Sequence, residues 1–426
     1  MNILYIDHYA GSPEMGMEFR PYYLAKEWIK MGHTVRIVAG DYSHLRIHNP
    51  EVKEDFQEEV IDGITYTWLK TGSYEGNGVS RALTMFRFVY KLRKKARWIA
   101  SNWDPNVIIS SSTYPLDTFA AQRIKKYTKK LGKRDTSATL IHEVHDMWPA
   151  TLYEVGSMSR YHPFVILIQI AENSAYKHCD HCVSLLPYAK DYMVKHGLKP
   201  DKFINIQNGV VKDEWENHQS IPAEHRQFFD EHKRKFIVGY FGGHALSNAL
   251  DKSLDVAKAF LKKDNRVEFV FVGDGVEKER LVKRAKDEGI SNAFFLMPVD
   301  KKEIPDLLQH FDCSYMTGMT SSLYRFGLCP NKMYDSMMAG LPVICAFDAP
   351  DTLVSKYHCG YQCDPEDVDL VVDNIEHLAS MSWEKRRKMG NNGKEAILKN
   401  YTYDRLAVTF AELFHDSNKT NKKRAS

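Results

Sequence analysis

The residues best able to do chemistry lie in four stretches, each placed after an apolar run of strand character. The most C-terminal, Tyr324 to Pro342, carries Arg325, Pro330, Asn331, Lys332 and Asp335 ahead of Gly340. Pro330 reads as a helix start and Gly340 as its end. The first turn then offers free amides to an anion, with Lys332 or Arg325 as the cationic partner. Asp335 lies inside the same helix and can accept hydrogen bonds from the vicinal hydroxyls of a ribose. A second stretch runs from Phe241-Gly242-Gly243-His244 to Lys252, and its small residues before a helix suit a diphosphate. The turn Val272-Gly273-Asp274-Gly275 has similar composition and reads as an ordinary tight turn.

A third stretch, His8 to Met17, contains Gly11 and Gly16. Their spacing is not the dinucleotide fingerprint, since no third glycine follows. The loop is either a second phosphate corner or a plain strand-to-helix turn. Arg20, one turn on, either adds charge to the site or lies on the helix surface. The fourth stretch is His142-Glu143-Val144-His145-Asp146-Met147-Trp148-Pro149. A histidine and a carboxylate at a strand end can orient hydroxyl groups, and Asp146 can polarise one. Zinc is rejected there, because His142 and His145 are three apart on a strand rather than four apart on a helix. Trp148 and Pro149 read as closing the turn over the core. Cys179 and Cys182 have the spacing of half a zinc site or a redox pair, but no second pair follows, so buried structural thiols are expected.

These loops must be held by parallel sheets. Short apolar runs alternate with longer segments of helical period. The expected strands of the first half are Asn2 to Ile6, Thr34 to Ala39, Val107 to Ser110, Thr139 to Val144 and His181 to Leu185, with a helix over Phe19 to Met31 that stops at Gly32. The pattern restarts with Phe236 to Phe241, a helix from Leu250, Val267 to Val272, a helix after Gly275, Ala293 to Leu296, and Val343 to Cys345. This gives a first domain over 1–207, a polar linker over 208–235, a second domain over 236–400, a C-terminal helix within 401–415, and a basic tail over 416–426 that does not order. The fold class is α/β, two Rossmann-like doubly wound domains facing across a cleft, with ligands at the carboxyl ends of the strands.

Composition narrows the function. With 426 residues and a net charge of +3, the chain has room for two cores and lacks the bulk charge of a nucleic-acid binder. Seven cysteines, no export signal and no run near the ~18 apolar residues of a membrane span point to a reduced, cytoplasmic protein. Arg81 to Ala100 interleaves basic and large apolar residues. It is either a helix that rests on an anionic membrane surface or a packed helix with a solvated basic face.

Several of these blocks together resemble the family-four retaining glycosyltransferases of the GT-B fold. They are Arg20 through Gly32-His33-Thr34-Val35, Asp146-Met147-Trp148-Pro149, Asn208-Gly209-Val210, Gly273-Asp274-Gly275, and Pro330-Asn331-Lys332 with Asp335 and Gly340-Leu341-Pro342. The resemblance is strongest to the subgroup near N-acetyl-L-fucosamine transferases of bacterial O-antigen and capsule assembly. It implies a nucleotide diphosphate sugar donor, UDP-linked, and a glycan or polyprenyl-diphosphate-linked sugar acceptor. It also implies no cofactor and no catalytic metal, the nucleotide sugar being a substrate. On this reading Gly11, Gly16, Gly242, Gly243, His244, Arg325, Pro330, Asn331, Lys332 and Asp335 bind the donor, while Arg20, His145 and Asp146 serve the acceptor side. His145, Asp146 and Lys332 carry the transfer, the first two as positioning groups. The family's two glutamates, eight positions apart, map to Gly327 and Asp335, so ribose binding is kept and contact to the transferred sugar is not carried over. Two other classes stay open: an epimerase or phosphorylase on the same fold, told by isomerisation without acceptor, and a non-catalytic nucleotide-sugar-binding partner, told by binding without turnover.

Overall fold

The computed structural model describes residues 1–415 apart from 17, 18, 77, 133–136 and 265. The tail expected at Asp416 to Ser426 therefore lies outside the described residues. The chain forms two compact units, Met1–Gln207 with Tyr403–Ser426, and Asn208–Thr402.

In the first unit the strands are β1 (Asn2–Ile6), β2 (Thr34–Gly40), β3 (Gln57–Ile61), β4 (Ile64–Leu69), β5 (Val107–Ser110), β6 (Thr139–Val144), β7 (His181–Ser184) and β8 (Phe203–Asn205). They make one sheet in the order β3-β4-β2-β1-β5-β6-β7-β8, in which only β3 and β4 pair antiparallel. Every residue of β5 and β6 is buried, as expected of parallel strands covered on both faces. The helix Phe19–Lys30 buries Trp28, whose indole donates to the Ala407 carbonyl at 3.0 Å and packs edge-on against Phe410 and Phe414. The helix Tyr403–Ala411 and the 3₁₀ turn Glu412–Phe414 are thus part of the first unit's core.

The second unit holds β9 (Phe236–Phe241), β10 (Val267–Val272), β11 (Ala293–Leu296), β12 (Cys313–Thr317), β13 (Val343–Ala346) and β14 (Gly360–Cys363), all parallel in the order β11-β10-β9-β12-β13-β14. The helix Leu250–Lys263 covers this sheet through Leu250, Leu254, Ala257 and Phe260, spaced at the helical period. Residues 208–235, expected as a linker, instead belong to this unit: they form the helices Lys212–Glu216 and Ala223–Glu231, and Ile221 and Phe229 are buried beside Ile237 and Phe311. Polar composition had concealed two anchor residues.

Both sheets reverse their winding beside their first strand, between β1 and β5 and between β9 and β12. Loops leaving a strand pair at such a point diverge and open a crevice at the carboxyl edge. In the second unit the loop after β9 carries Gly242, and that after β10 carries Gly273, whose φ is +149°. A Cβ on Gly273 would stand 2.0 Å from the Gly242 carbonyl oxygen. Gly273→Ala should therefore lower the second unit's stability by about 3 kcal/mol, within the range for backbone clashes at positive φ, measured by urea denaturation; a change below about 0.5 kcal/mol would show that the two loops are not tightly apposed.

Candidate active site

In the second unit the site is built around one ammonium group. The helix Asn331–Met338 starts after Pro330, which is extended at φ −76°, ψ 135°, and ends before Gly340 at φ +74°. Asn208 fixes its entry: the Asn208 amide donates to Cys329 Sγ at 3.1 Å and its side chain to the Cys329 carbonyl at 3.1 Å. Lys332 reaches back from the first turn toward the end of β9. Its Nζ donates to Tyr240 Oη at 2.7 Å, stands 4.4 Å from the centre of the Tyr240 ring and approaches Asn248 Oδ1 at 3.5 Å. Tyr240 and Asn248 in turn donate to the Gly243 carbonyl, at 2.7 and 2.8 Å. Gly242, at φ +117°, is what allows this: a Cβ there would lie 2.3 Å from Lys332 Cε. Burial lowers the Lys332 pKa to about 8.

Gly242, Gly243, Lys332, Pro330 and Asn331 thus come together, with His244 directly following in the same loop and Asn331 exposed. Asp335 lies one turn further along the helix and is half-buried. Burial raises its pKa to about 6, with Lys301 opposing the shift and Glu214 adding to it. Arg325 is exposed on the 3₁₀ turn Ser322–Phe326, its guanidinium 4.2 Å from the Phe326 ring centre and bonded to the Ser322 carbonyl. The structure does not pair it with Lys332. Tyr240 and Asn248 are the members missed by sequence reading, since a strand tyrosine and a loop asparagine carry no signal of their own until Lys332 is placed.

In the first unit the organising group is Glu143 at the end of β6. It is fully buried and takes an ion pair from Arg20 at 2.9 Å, a bond from Ser111 Oγ at 2.6 Å, one from the Tyr5 hydroxyl, and a 3.2 Å contact with His145 Nε2. Burial pushes the carboxyl upward, but Arg20 and His145 outweigh it and hold Glu143 well below the usual carboxylate range. Arg20 also donates to the carbonyls of Gln207 at 2.7 Å and Ile206 at 2.9 Å. It is buried, so neither the surface position nor a free charge describes it. His145 remains partly exposed, bonded at 2.7 Å to Ser111 Oγ. Asp146 is exposed and caps its own turn, accepting from Met147 N and Thr151 Oγ1.

Gly11 and Gly16 belong to this first unit, and Lys332 to the second. The Gly16 amide is spent on the Ser12 and Pro13 carbonyls, and the Gly11 carbonyl accepts from Tyr66 Oη at 2.6 Å. At Gly16 a plain turn describes the loop better than a phosphate corner. Trp148 packs on the first unit's core, as expected of a turn closure. Cys179 and Cys182 are buried free thiols, and burial raises Cys182 well above its ordinary value.

Two doubly wound, mainly parallel sheets, the second with a half-buried cation beside a helix amino end at its winding reversal, are the architecture of the GT-B fold. Residues 15–214 match the family described as Glycosyltransferase Family 4 and residues 223–396 the family described as Glycosyl transferases group 1, so the chain carries both domains of that architecture. A curated relative, poly(ribitol-phosphate) alpha-N-acetylglucosaminyltransferase of Staphylococcus aureus, is 24% identical over 182 residues, 42% of this chain. The match spans about a third, 35%, of that relative's length. Among solved structures, sucrose-phosphate synthase of Thermosynechococcus elongatus superposes with a TM-score of 0.73 at 14% identity over 100% of both chains. The Anabaena protein HepE in complex with UDP gives 0.66 at 14% identity over 97% of this chain and 99% of that one. WaaG, a glycosyltransferase involved in lipopolysaccharide biosynthesis, gives 0.64 at 11% identity over 97% and 99%.

Removing one member of a buried ion pair strands the other, at a cost of about 3–5 kcal/mol. Arg20→Met should destabilise the first unit by that amount in urea. Because the folded pKa of Glu143 is depressed, the pair's contribution is complete above the ordinary carboxyl range and declines as pH falls toward the folded value. The loss on mutation should therefore shrink between about pH 5 and pH 2; a loss independent of pH would show that Arg20 acts by packing alone.

Proposed function

We propose that the chain transfers a sugar, with retention of configuration, from a nucleoside diphosphate sugar to a glycan or polyprenyl-diphosphate-linked sugar. The observation that carries this is the Lys332 ammonium, half-buried beside the Gly242-Gly243 loop and the amino end of the Asn331–Met338 helix, with Asp335 one turn away. A diphosphate answers the cation and the amides, and a ribose diol answers the carboxylate. In the reaction the bond between the sugar's anomeric carbon and the diphosphate oxygen breaks as the bond to the acceptor oxygen forms. The acceptor proton passes to the departing phosphate, and Lys332 with the helix amides stabilises the charge that develops there. His145 and Asp146, at the end of β6, orient the acceptor. UDP is the favoured nucleotide, supported by the complexes of HepE with UDP and UDP-glucose. The relative from Staphylococcus aureus and the likeness to WaaG favour a hexose or N-acetylhexosamine and a place in bacterial surface polysaccharide assembly, O-antigen or capsule.

Two pKa values make the reading testable. Asp335 must be ionised to accept from the diol, and Lys332 protonated to hold the diphosphate. UDP affinity measured by calorimetry should therefore be greatest near pH 7, falling below about 6 and above about 8. Asp335→Ala should remove the acid limb and weaken uridine and UDP alike, while Lys332→Ala should remove the alkaline limb and weaken UDP alone. Equal UDP affinity in parent and both variants would sink the assignment. Turnover should also persist in excess chelator, the leaving group's countercharge being Lys332; loss in chelator reversed by magnesium or manganese would overturn that part.

A membrane surface is the second reading. Among the described residues no helix is long and apolar enough to cross a membrane. The helix Val79–Asn102 buries Met85, Phe88, Leu92 and Ile99, and leaves Tyr90 64% and Phe86 39% exposed. Phe86, Tyr90, Phe119 and Leu167 line a groove of about 590 Å³ rimmed by Arg93, Lys94 and Arg123. The helix is packed on one face and carries basic residues on the other, and we propose that this basic rim holds the chain on anionic lipid at the inner face of the plasma membrane. Arg87 and Lys91 bond within the unit, to the Thr71 carbonyl and to Asp55, and leave this task to others. Changing Arg93, Lys94, Arg97 and Arg123 to glutamine should reduce sedimentation with anionic vesicles at low salt without altering UDP affinity. Exposed charges are screened within about 8 Å at physiological salt, so the parent's binding should fall as salt is added; unchanged sedimentation of the variant would leave the helix as packing only.

A further inference from the structure

The residue after the glycine pair, His244, is 0% exposed, and neither ring nitrogen has a hydrogen-bond partner among the described residues. Its backbone is the opposite case. The amide donates to the Asp274 carbonyl at 2.7 Å and the carbonyl accepts from Glu277 N at 3.0 Å. The ring lies 6.0 Å from Phe295 edge-on and 5.9 Å from Tyr240, the tyrosine that holds Lys332.

A neutral imidazole has one donor and one acceptor, and leaving both unmet in an apolar seat costs free energy that a phenylalanine of similar shape avoids. The imidazole is kept neutral there: burial lowers its pKa to about 4, with Lys278 and Lys332 acting in the same direction and Asp274 against them. Lys278 is already bonded to the carbonyls of Gly273 and Leu296, so it does not seek the ring. The same loop ends on a second costly feature. Ala249, a residue with a side chain, takes φ +46°, ψ 42° where the turn Leu246–Asn248 meets the helix Leu250–Lys263. An unsatisfied ring and a left-handed alanine lie on the one loop that borders the Lys332 ammonium.

Resting on the diphosphate-site reading above, we infer that His244 is a ligand-operated binding residue: with its backbone fixed, the ring turns out of its apolar seat when a nucleoside diphosphate binds and donates a ring N–H to a diphosphate oxygen beside Lys332. The ring then exchanges an unmet hydrogen bond for a charge-assisted one, and the diphosphate gains a donor that the free protein keeps out of solvent.

The test uses the full chain and two variants. His244→Phe removes the polar atoms and keeps the ring volume; it should raise the thermal midpoint of the unliganded protein by a few degrees and weaken UDP about tenfold, leaving uridine unchanged. His244→Gln keeps a donor and should hold UDP affinity within about threefold of the parent. In ¹⁵N-histidine-labelled protein, the His244 ring resonances should shift on saturation with UDP and stay in place with uridine. His244→Phe binding UDP as tightly as the parent, or a ring signal unmoved by UDP, would overturn the inference and show a ring satisfied within its seat, by a buried water for example. Failure of the parent to bind UDP would instead overturn the diphosphate site itself, and this inference with it.

Discussion

An ammonium group taken half out of water needs something polar or anionic to face, and the second unit is arranged around that need at Lys332. Tyr240 gives it one oxygen and a ring face, Asn248 a distant second oxygen, and Gly242 the room for its stem. Parallel pairing of β9 with β10 and β12 brings these loops to one edge, at the winding reversal between β9 and β12 where doubly wound sheets place ligands. The left-handed Gly242 is what leaves the lysine stem its room.

The first unit handles charge in the contrary way. Glu143 and Arg20 neutralise each other inside the core, and Arg20 spends its remaining donors on the last carbonyls before residue 208. Such a pair adds less to stability than its geometry suggests, because both ions are desolvated. What it fixes is position. Ser111 and His145 are bonded to the same carboxylate, so the edge at which His145 is presented is set by a buried network rather than by loop conformation. One unit thus keeps its cation available and the other consumes it.

Most strands were legible because a parallel strand buried on both faces reads as an apolar run: β1, β5, β6, β9 and β10 fall where Asn2, Val107, Thr139, Phe236 and Val267 open such runs, and the half-buried edge strand β11 was legible from Ala293-Phe294-Phe295-Leu296 alone. Strand β12, Cys-Ser-Tyr-Met-Thr, lies at the centre of its sheet but reads as mixed, since Ser314 satisfies itself by accepting a bond from Ser336. The β3–β4 hairpin escaped although Asp62-Gly63 is a two-residue turn with both φ values positive, a signal that the runs on either side, rich in Glu and Thr, obscured. For the site, Lys332 and Asp335 were readable from helix punctuation. The role of Glu143 was not, because a lone acid in an apolar strand gives no hint of whether a distant arginine will meet it.

The return of residues 403–414 to the first unit bears on how the molecule is made. Trp28 completes its surroundings with Ala407, Phe410 and Phe414, so during synthesis the N-terminal core lacks these pieces until the second unit has been made and residues 403–414 have followed it. Residues 208–402 contain all of their own sheet and can close before residues 403–414 are available to the first unit. The half synthesised first is therefore the half that matures last, and in the interval Trp28 and its neighbours present an unfilled apolar surface for a chaperone to shield.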